Sequence, residues 1–319
     1  MAKMKERRVD GRDVVKELIA GRRDAAAFAE GAEVHLAHPF ETLTVEGYFH
    51  GPLAQLGEAF PDLERRNTIL MESVDGHNQL WVGVCGYYCG TFSAPFLDIP
   101  PTRRMAAMRY HEFYRIKDGR IAEMQALWDI PELMMQAGAW PMGPSLGREW
   151  HVPGPATQDG LRVEGDGARA LQIVGDMLLA LGNNREGEAA MRLPEYWHEN
   201  ASWYGPSGIG TCRGIRGFRD HHQIPFLNAM PDRGGIEENR FFFAQGNYVG
   251  FTAWPGMRMT MTGDGWLGIA PSGQKLTMRS LDFWRVEGGK IAENWVLVDL
   301  LHAWHQLGVD VLARMRQLA

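Results

Sequence analysis

The stretch Met108-Arg109-Tyr110-His111-Glu112-Phe113-Tyr114-Arg115-Ile116-Lys117-Asp118-Gly119-Arg120-Ile121-Ala122-Glu123 returns 170 positions later as Met278-Arg279-Ser280-Leu281-Asp282-Phe283-Trp284-Arg285-Val286-Glu287-Gly288-Gly289-Lys290-Ile291-Ala292-Glu293. Met, Arg, Phe, Arg, Gly, Ile, Ala and Glu fall in place, and most other changes keep chemical type. The match runs without a gap over residues 100–138. Beyond it, Pro61-Asp62 answers Pro231-Asp232, Asp129 answers Asp299, and Gln136-x-Gly138 answers Gln306-x-Gly308. A repeat unit of roughly 150 residues is the size of a domain and far too long for a solenoid. The chain is therefore two copies of one fold. Between them, Trp140 to Gly160 carries Pro141, Pro144, Pro153 and Pro155 with several glycines, which suits a linker. This divides the chain into a first domain (1–145), a Pro/Gly-rich linker (146–164) and a second domain (165–319).

Each copy begins with helices. Asp13–Phe28 and Ala168–Leu181 read as opening helices, Leu53–Phe60 and Phe218–Met230 as second helices leading to the Pro-Asp pairs. Leu80–Phe92 then alternates in strand fashion. Met105–Ile116, a Lys-Asp-Gly turn and Ile121–Asp129 read as a long hairpin, because Asp-Gly accepts the positive backbone angles of a tight turn. Helices first and an antiparallel meander after is an α+β layout, with a helix layer covering one face of the sheet.

The chain has 319 residues, 45% hydrophobic and 23% charged, an ordinary globular composition. A net charge of -6 leaves no electrostatic footprint for nucleic acid or anionic lipid. Met1 to Asp13 carries Lys3, Lys5, Arg7 and Arg8, but no apolar stretch follows as a signal-peptide core, and no run of ~18 apolar residues occurs. A cytoplasmic protein with no membrane partner is expected. Cys85, Cys89 and Cys212 are an odd count without metal-site spacing, so buried thiols are expected and no metal or other cofactor is implied.

The hairpin carries a family resemblance. Ile99-Pro100-Pro101-Thr102 with its echo Ile269-Ala270-Pro271-Ser272, the run Phe113-x-Arg115-Ile116-x-Asp118-Gly119-Arg120-Ile121-x-Glu123, and the tail from Trp128-Asp129 to Gln136-Ala137-Gly138 resemble the SnoaL-like polyketide cyclases. These belong to the nuclear-transport-factor-2-like superfamily. The resemblance implies two tandem cone-shaped domains of cystatin-like α+β fold, each a curved antiparallel sheet wrapped around an apolar pocket and roofed by N-terminal helices. It also implies acid/base chemistry by side chains, although cyclases, isomerases, dehydratases, lyases and pure binding modules share the superfamily. In the cyclases a catalytic aspartate follows the turn isoleucine by five residues. That position is Ala126 in the first copy and Val296 in the second.

Strand periodicity supplies replacements. Met108, Tyr110, Glu112 and Tyr114 share one face, as do Met278, Ser280, Asp282 and Trp284. If this is the pocket face, each pocket holds one carboxyl among aromatic rings, where the cyclases have a histidine. Desolvation would raise its pKa and make Glu112 or Asp282 a general acid or base. The alternative is a pairing with Arg109 or Arg279, or exposure to solvent. Those two arginines fall on the opposite face, where they would join the halves as a pseudo-dimer.

The first short strand adds His35 and His38, with His38-Pro39 resembling a pocket Asn-Pro of the cyclases, and Tyr48 is a candidate oxyanion donor. In the second copy Tyr196 to Tyr204, with His198, puts aromatics where the first has His38, so the first pocket is expected to be the better equipped. Trp81, Tyr87, Trp203, Tyr204 and Trp284 would suit a flat aromatic ligand. Asp129 and Asp299 read as structural helix caps. His221, His222, His302 and His305 complete no metal set, and Gly143-Pro144-Ser145-Leu146-Gly147 lies in the Pro-rich stretch between the copies with no strand before it or helix after it, so a nucleophile elbow is not expected. Two functions follow. One is a cofactor-independent enzyme, a lyase or dehydratase before an aldol-type cyclase or isomerase, in which Glu112 and His38 act on a hydrophobic oxygenated aromatic of lignin-dimer or polyketide type. The other is a non-catalytic small-molecule-binding module. Homo-oligomers through sheet faces are a further expectation.

Overall fold

The computed structural model describes residues 10–318, so the basic residues Lys3, Lys5, Arg7 and Arg8 lie outside the described residues. In the first half β1 (Phe28–Leu36), β2 (Glu41–Thr44), β3 (Glu64–Val74), β4 (Leu80–Thr91), β5 (Met105–Lys117) and β6 (Arg120–Trp128) form one sheet in the order β2-β1-β6-β5-β4-β3. The second half repeats it with β7 (Trp197–Tyr204), β8 (Thr211–Arg213), β9 (Gly234–Gly235), β10 (Arg240–Gln245), β11 (Tyr248–Thr260), β12 (Lys275–Glu287) and β13 (Lys290–Val298). Their order is β10-β11-β12-β13-β7-β8, with β9 on β11. The chain is thus two tandem α+β domains. The sheets are not wholly antiparallel: β1 pairs β6, and β7 pairs β13, in parallel. Parallel neighbours need a long crossover, and the helices and strands between the two partners provide it.

Local chemistry sets the elements. Asp118 and Gly119 both have positive φ, 50° and 74°, so the β5–β6 hairpin closes with the turn that Asp-Gly favours. The first helix, Gly11–Ile19, is capped by Asp10, whose side chain accepts from the backbone N–H groups of Arg12 and Asp13. Ala168–Leu181 is helical as its periodicity predicts. The second helix of the second copy is broken into Gly214–Phe218, a π turn over Arg219–Gln223, and Ile224–Ala229. All three cysteines are buried and unpaired. Among the described residues no helix is long and apolar enough to cross a membrane.

The two sheets meet through the faces that carry Arg109 and Phe113. Phe113 packs on Phe283 with ring centroids 5.0 Å apart, and His111 Nδ1 lies 2.6 Å from the carbonyl of Leu281. A Cβ on Gly83 would come within 3.0 Å of both Phe243 and Phe283, so glycine lets the sheets approach. Arg109, 1% exposed, donates to the carbonyls of Gly205 (2.6 Å) and Tyr204 (3.3 Å) and pairs with Asp129. Arg279 pairs instead with Glu41 and Asp299. Both arginines therefore join the halves. The linker is packed too: Tyr87 stacks on His151, and Trp295 Nε1 donates to the carbonyl of Pro153.

Candidate active site

The strand alternation holds in both copies: the face opposite the inter-sheet contact looks into each cone. The cones differ in what fills them. In the first, Glu112 is 0% exposed and forms an ion pair with Arg65 at 2.7 Å. It also accepts from the hydroxyls of Tyr88 (2.7 Å) and Tyr114 (2.6 Å) and more distantly from Trp128 Nε1. Arg65 lies over the Tyr110 ring at 4.4 Å. These side chains plug the cone, leaving a void of about 50 Å³, enough for a few waters. The expectation that the first pocket is the better equipped is thereby corrected. Its carboxyl holds a buried cation instead of facing a ligand.

The second cone is open because the plug is missing. At the 170-residue offset Tyr110 becomes Ser280, Trp128 becomes Val298 and Arg65 becomes Gly235. The place of Tyr88, opposite Met108, is taken by Met257, opposite Met278. What remains is a cavity of about 640 Å³, the size of a small-molecule site, lined by Asp282, Ser280, Trp203, Trp284, His222 and Arg233 among others.

Asp282 is the buried carboxyl of this cavity. Burial pushes its pKa up to about 8, and only the Ser280 hydroxyl, donating to Oδ1 at 2.6 Å, pulls it back. It keeps 8% exposure where Glu112 has none. Across the β12–β13 ladder Asp282 lies directly opposite Val296, and both line the cavity. Residues directly opposite in a ladder share a face, with Cβ atoms ~5 Å apart. The carboxyl on β12 therefore serves the same part of the cavity as one at position 296 on β13 would.

Polar atoms without partners concentrate here. Among the described residues, twelve buried side-chain polar atoms lack a hydrogen-bond partner. Six belong to residues lining this cavity: the Nε1 atoms of Trp197, Trp266 and Trp284, His222 Nδ1, Gln223 Oε1 and Arg233 Nε. Native proteins leave few such atoms, so the cluster suits a ligand rich in oxygen acceptors. His222 stacks on Trp203 with centroids 4.1 Å apart. Burial first, and then the charge of Arg233, hold its pKa down to about 3, so it is a neutral hydrogen-bonding group.

Trp203, Trp284 and Asp282 thus line the open cavity, while Tyr110, Tyr114 and Tyr48 belong to the filled first cone. Tyr48 is 3% exposed, and burial raises its pKa, which suits packing. His38 faces neither cone and lines only a void of about 10 Å³. It sits at the junction of the halves, stacked on His305 at 4.6 Å, with Nδ1 2.9 Å from Glu41 and its backbone N–H on Asp299. His35 contacts Thr42, and His198 the carbonyl of Glu287, both away from the cavity. Trp81 donates to Asp75 and packs on Phe241 and Phe243 between the sheets. Tyr87 faces the linker, and Tyr204 donates to Glu293. Asp299 caps its helix through His302 N–H, whereas Asp129 accepts from Ser207 N–H across the junction. Sequence reasoning missed Trp266, Gln223 and Arg233, took Trp197 only as one aromatic of the stretch Tyr196 to Tyr204, and weighed His222 only as a metal ligand. A π turn is frequent at functional sites, and His222 and Gln223 lie on one.

The model of the SnoaL-like polyketide cyclase family matches residues 24–137 and 176–307, more than half of the chain. Among solved structures, IdmH from Streptomyces antibioticus is similar at 23% identity over 42% of this chain and 98% of its own, with a TM-score of 0.34. An NTF2-like protein from Burkholderia xenovorans LB400 is 18% identical over 44% of this chain and 97% of its own, with a TM-score of 0.35. TsrD from Streptomyces laurentii is 22% identical over 46% and 98%, with a TM-score of 0.33. No curated protein matches the chain. With one match in each half, the chain belongs to the SnoaL-like polyketide cyclase family as a tandem pair.

Proposed function

We propose that the chain is an acid–base enzyme working with its own side chains in the second cavity alone, on a hydrophobic oxygenated aromatic small molecule. The observation that carries this is Asp282, a buried carboxyl in a ligand-sized cavity, with its pKa near neutrality and facing the position of the family's absent aspartate. A base is most effective when its pKa lies near the working pH. Ionised Asp282 removes a proton from the carbon beside a carbonyl. Trp197, Trp266 and Trp284 each bring an unpartnered Nε1–H to the cavity, a supply of donors from which the developing enolate oxygen is stabilised. Protonated Asp282 then returns the proton to a leaving oxygen, so the C–H and C–O bonds break, a C=C bond forms, and the carboxylate is restored. That is a lyase step of dehydratase type. The family match favours a second reading, in which the enolate attacks a carbonyl of the same molecule and Asp282 protonates the new alkoxide.

Mass-spectrometric turnover screening of oxygenated aromatics and polyketide-like compounds tests this. A product lighter by one water supports the lyase. An isomeric product supports cyclisation or isomerisation. Ligand-dependent thermal stabilisation without conversion would refute the enzyme and leave a binding module.

A further inference from the structure

Two arginines line the second cavity, and they are unequal. Arg240 pairs with Glu237, so its charge is compensated. Arg233 makes no ion pair among the described residues. Its guanidinium donates to the carbonyl of Leu181 at 3.2 Å, at the end of the helix Ala168–Leu181, while its Nε is buried without a partner. A carbonyl anchors a guanidinium but does not neutralise it, and a desolvated cation without a counter-ion is costly. The first copy carries no such residue. At the 170-residue offset Arg233 answers Leu63, an apolar residue against the small void of the filled cone. The arginine therefore goes with the open cavity and not with the fold.

We propose that this cavity takes a carboxylate-bearing aromatic ligand, with Arg233, in the turn just before β9, as its anion-binding residue and Asp282 on the sheet beside its reacting carbon. This rests on the reading of the cavity as a ligand site and narrows it to a substrate class. The planar fork of arginine matches a carboxylate through paired N–H donors. His222, close enough for the Arg233 charge to act on it, stays neutral, while the charge of Arg240 also bears on Arg233, so among the described residues two cations and no unpaired carboxylate meet on that side. Arg233 is distinct from the base: what sets the Asp282 carboxyl is its burial and Ser280.

The test uses the full chain and two probes, 3-hydroxy-2-naphthoate and its methyl ester, titrated calorimetrically at pH 7. The wild type is expected to bind the acid about tenfold more tightly than the ester. Arg233→Gln should lose that preference with the ester affinity unchanged, and Arg233→Lys should keep part of it. Equal binding of acid and ester to the wild type, or a preference that survives Arg233→Gln, overturns the anion site and leaves the ligand cavity standing. Failure of both probes to bind overturns both. Should Arg233→Gln not fold, the wild-type ratio still decides, and it should shrink with added salt.

Discussion

Asp282→Asn should stabilise the protein, and by an amount that grows with pH. The folded carboxyl has its pKa raised from 3.8 to about 8 by burial. Below the unfolded value both states are protonated, and burial of the neutral acid carries no ionisation penalty. Between the two values the unfolded chain releases its proton while the folded chain keeps it, so stability falls by about 1.4 kcal/mol per pH unit. Above the folded pKa the loss is complete. At pH 7 the penalty is on the order of 4 kcal/mol, reaching about 6 kcal/mol beyond pH 8. The amide oxygen of the substituted side chain would still accept from Ser280, but an amide does not titrate. The difference between variant and wild type, measured by urea unfolding at pH 4.5, 7 and 8.5, should therefore rise across the series. Other groups titrate alike in both proteins and cancel. A difference that stays flat with pH, or one that favours the wild type at pH 8.5, would refute the assignment of Asp282 as a buried, uncompensated carboxyl.

Two further substitutions separate the copies. Glu112→Gln strips Arg65 of its buried counter-ion and should cost about 3–5 kcal/mol in urea unfolding, while the protein that remains folded keeps its ligand affinity; an unchanged unfolding curve would contradict the plugged cone. Ser280→Tyr places in the second cone the ring that Tyr110 supplies in the first. It should abolish probe binding with little change in melting temperature, and retained binding would place the ligand elsewhere.

The repeat and the Asp-Gly hairpin made the fold legible, because turn chemistry and strand alternation are local and period-2 faces follow directly from sequence. The same alternation put Glu112 and Asp282 inside their cones and Arg109 and Arg279 at the junction. It did not reveal which cone was open. That depends on Arg65 meeting Glu112 across the interior, a contact between β3 and β5 that no local pattern announces. His38 misled for a related reason: its neighbours His305 and Asp299 come from the other half of the chain. Arg233 escaped notice, and His222 was weighed only for metal binding, because a charged or aromatic residue on a roof helix or in the turn after it looks the same in sequence whether it faces a cavity or a packed core. The parallel β1–β6 pairing was hidden by the length of chain between the partners.

The central claim is that catalysis belongs to the second cavity and depends on Asp282. The most direct measurement compares turnover of a converted compound by wild type, Asp282→Asn and Glu112→Gln at pH 8.5, normalised to folded protein. Loss of about 10²-fold or more in Asp282→Asn, with Glu112→Gln near the wild-type rate, is the predicted result. Turnover by Asp282→Asn at the wild-type rate, or its loss in Glu112→Gln alone, would contradict the account.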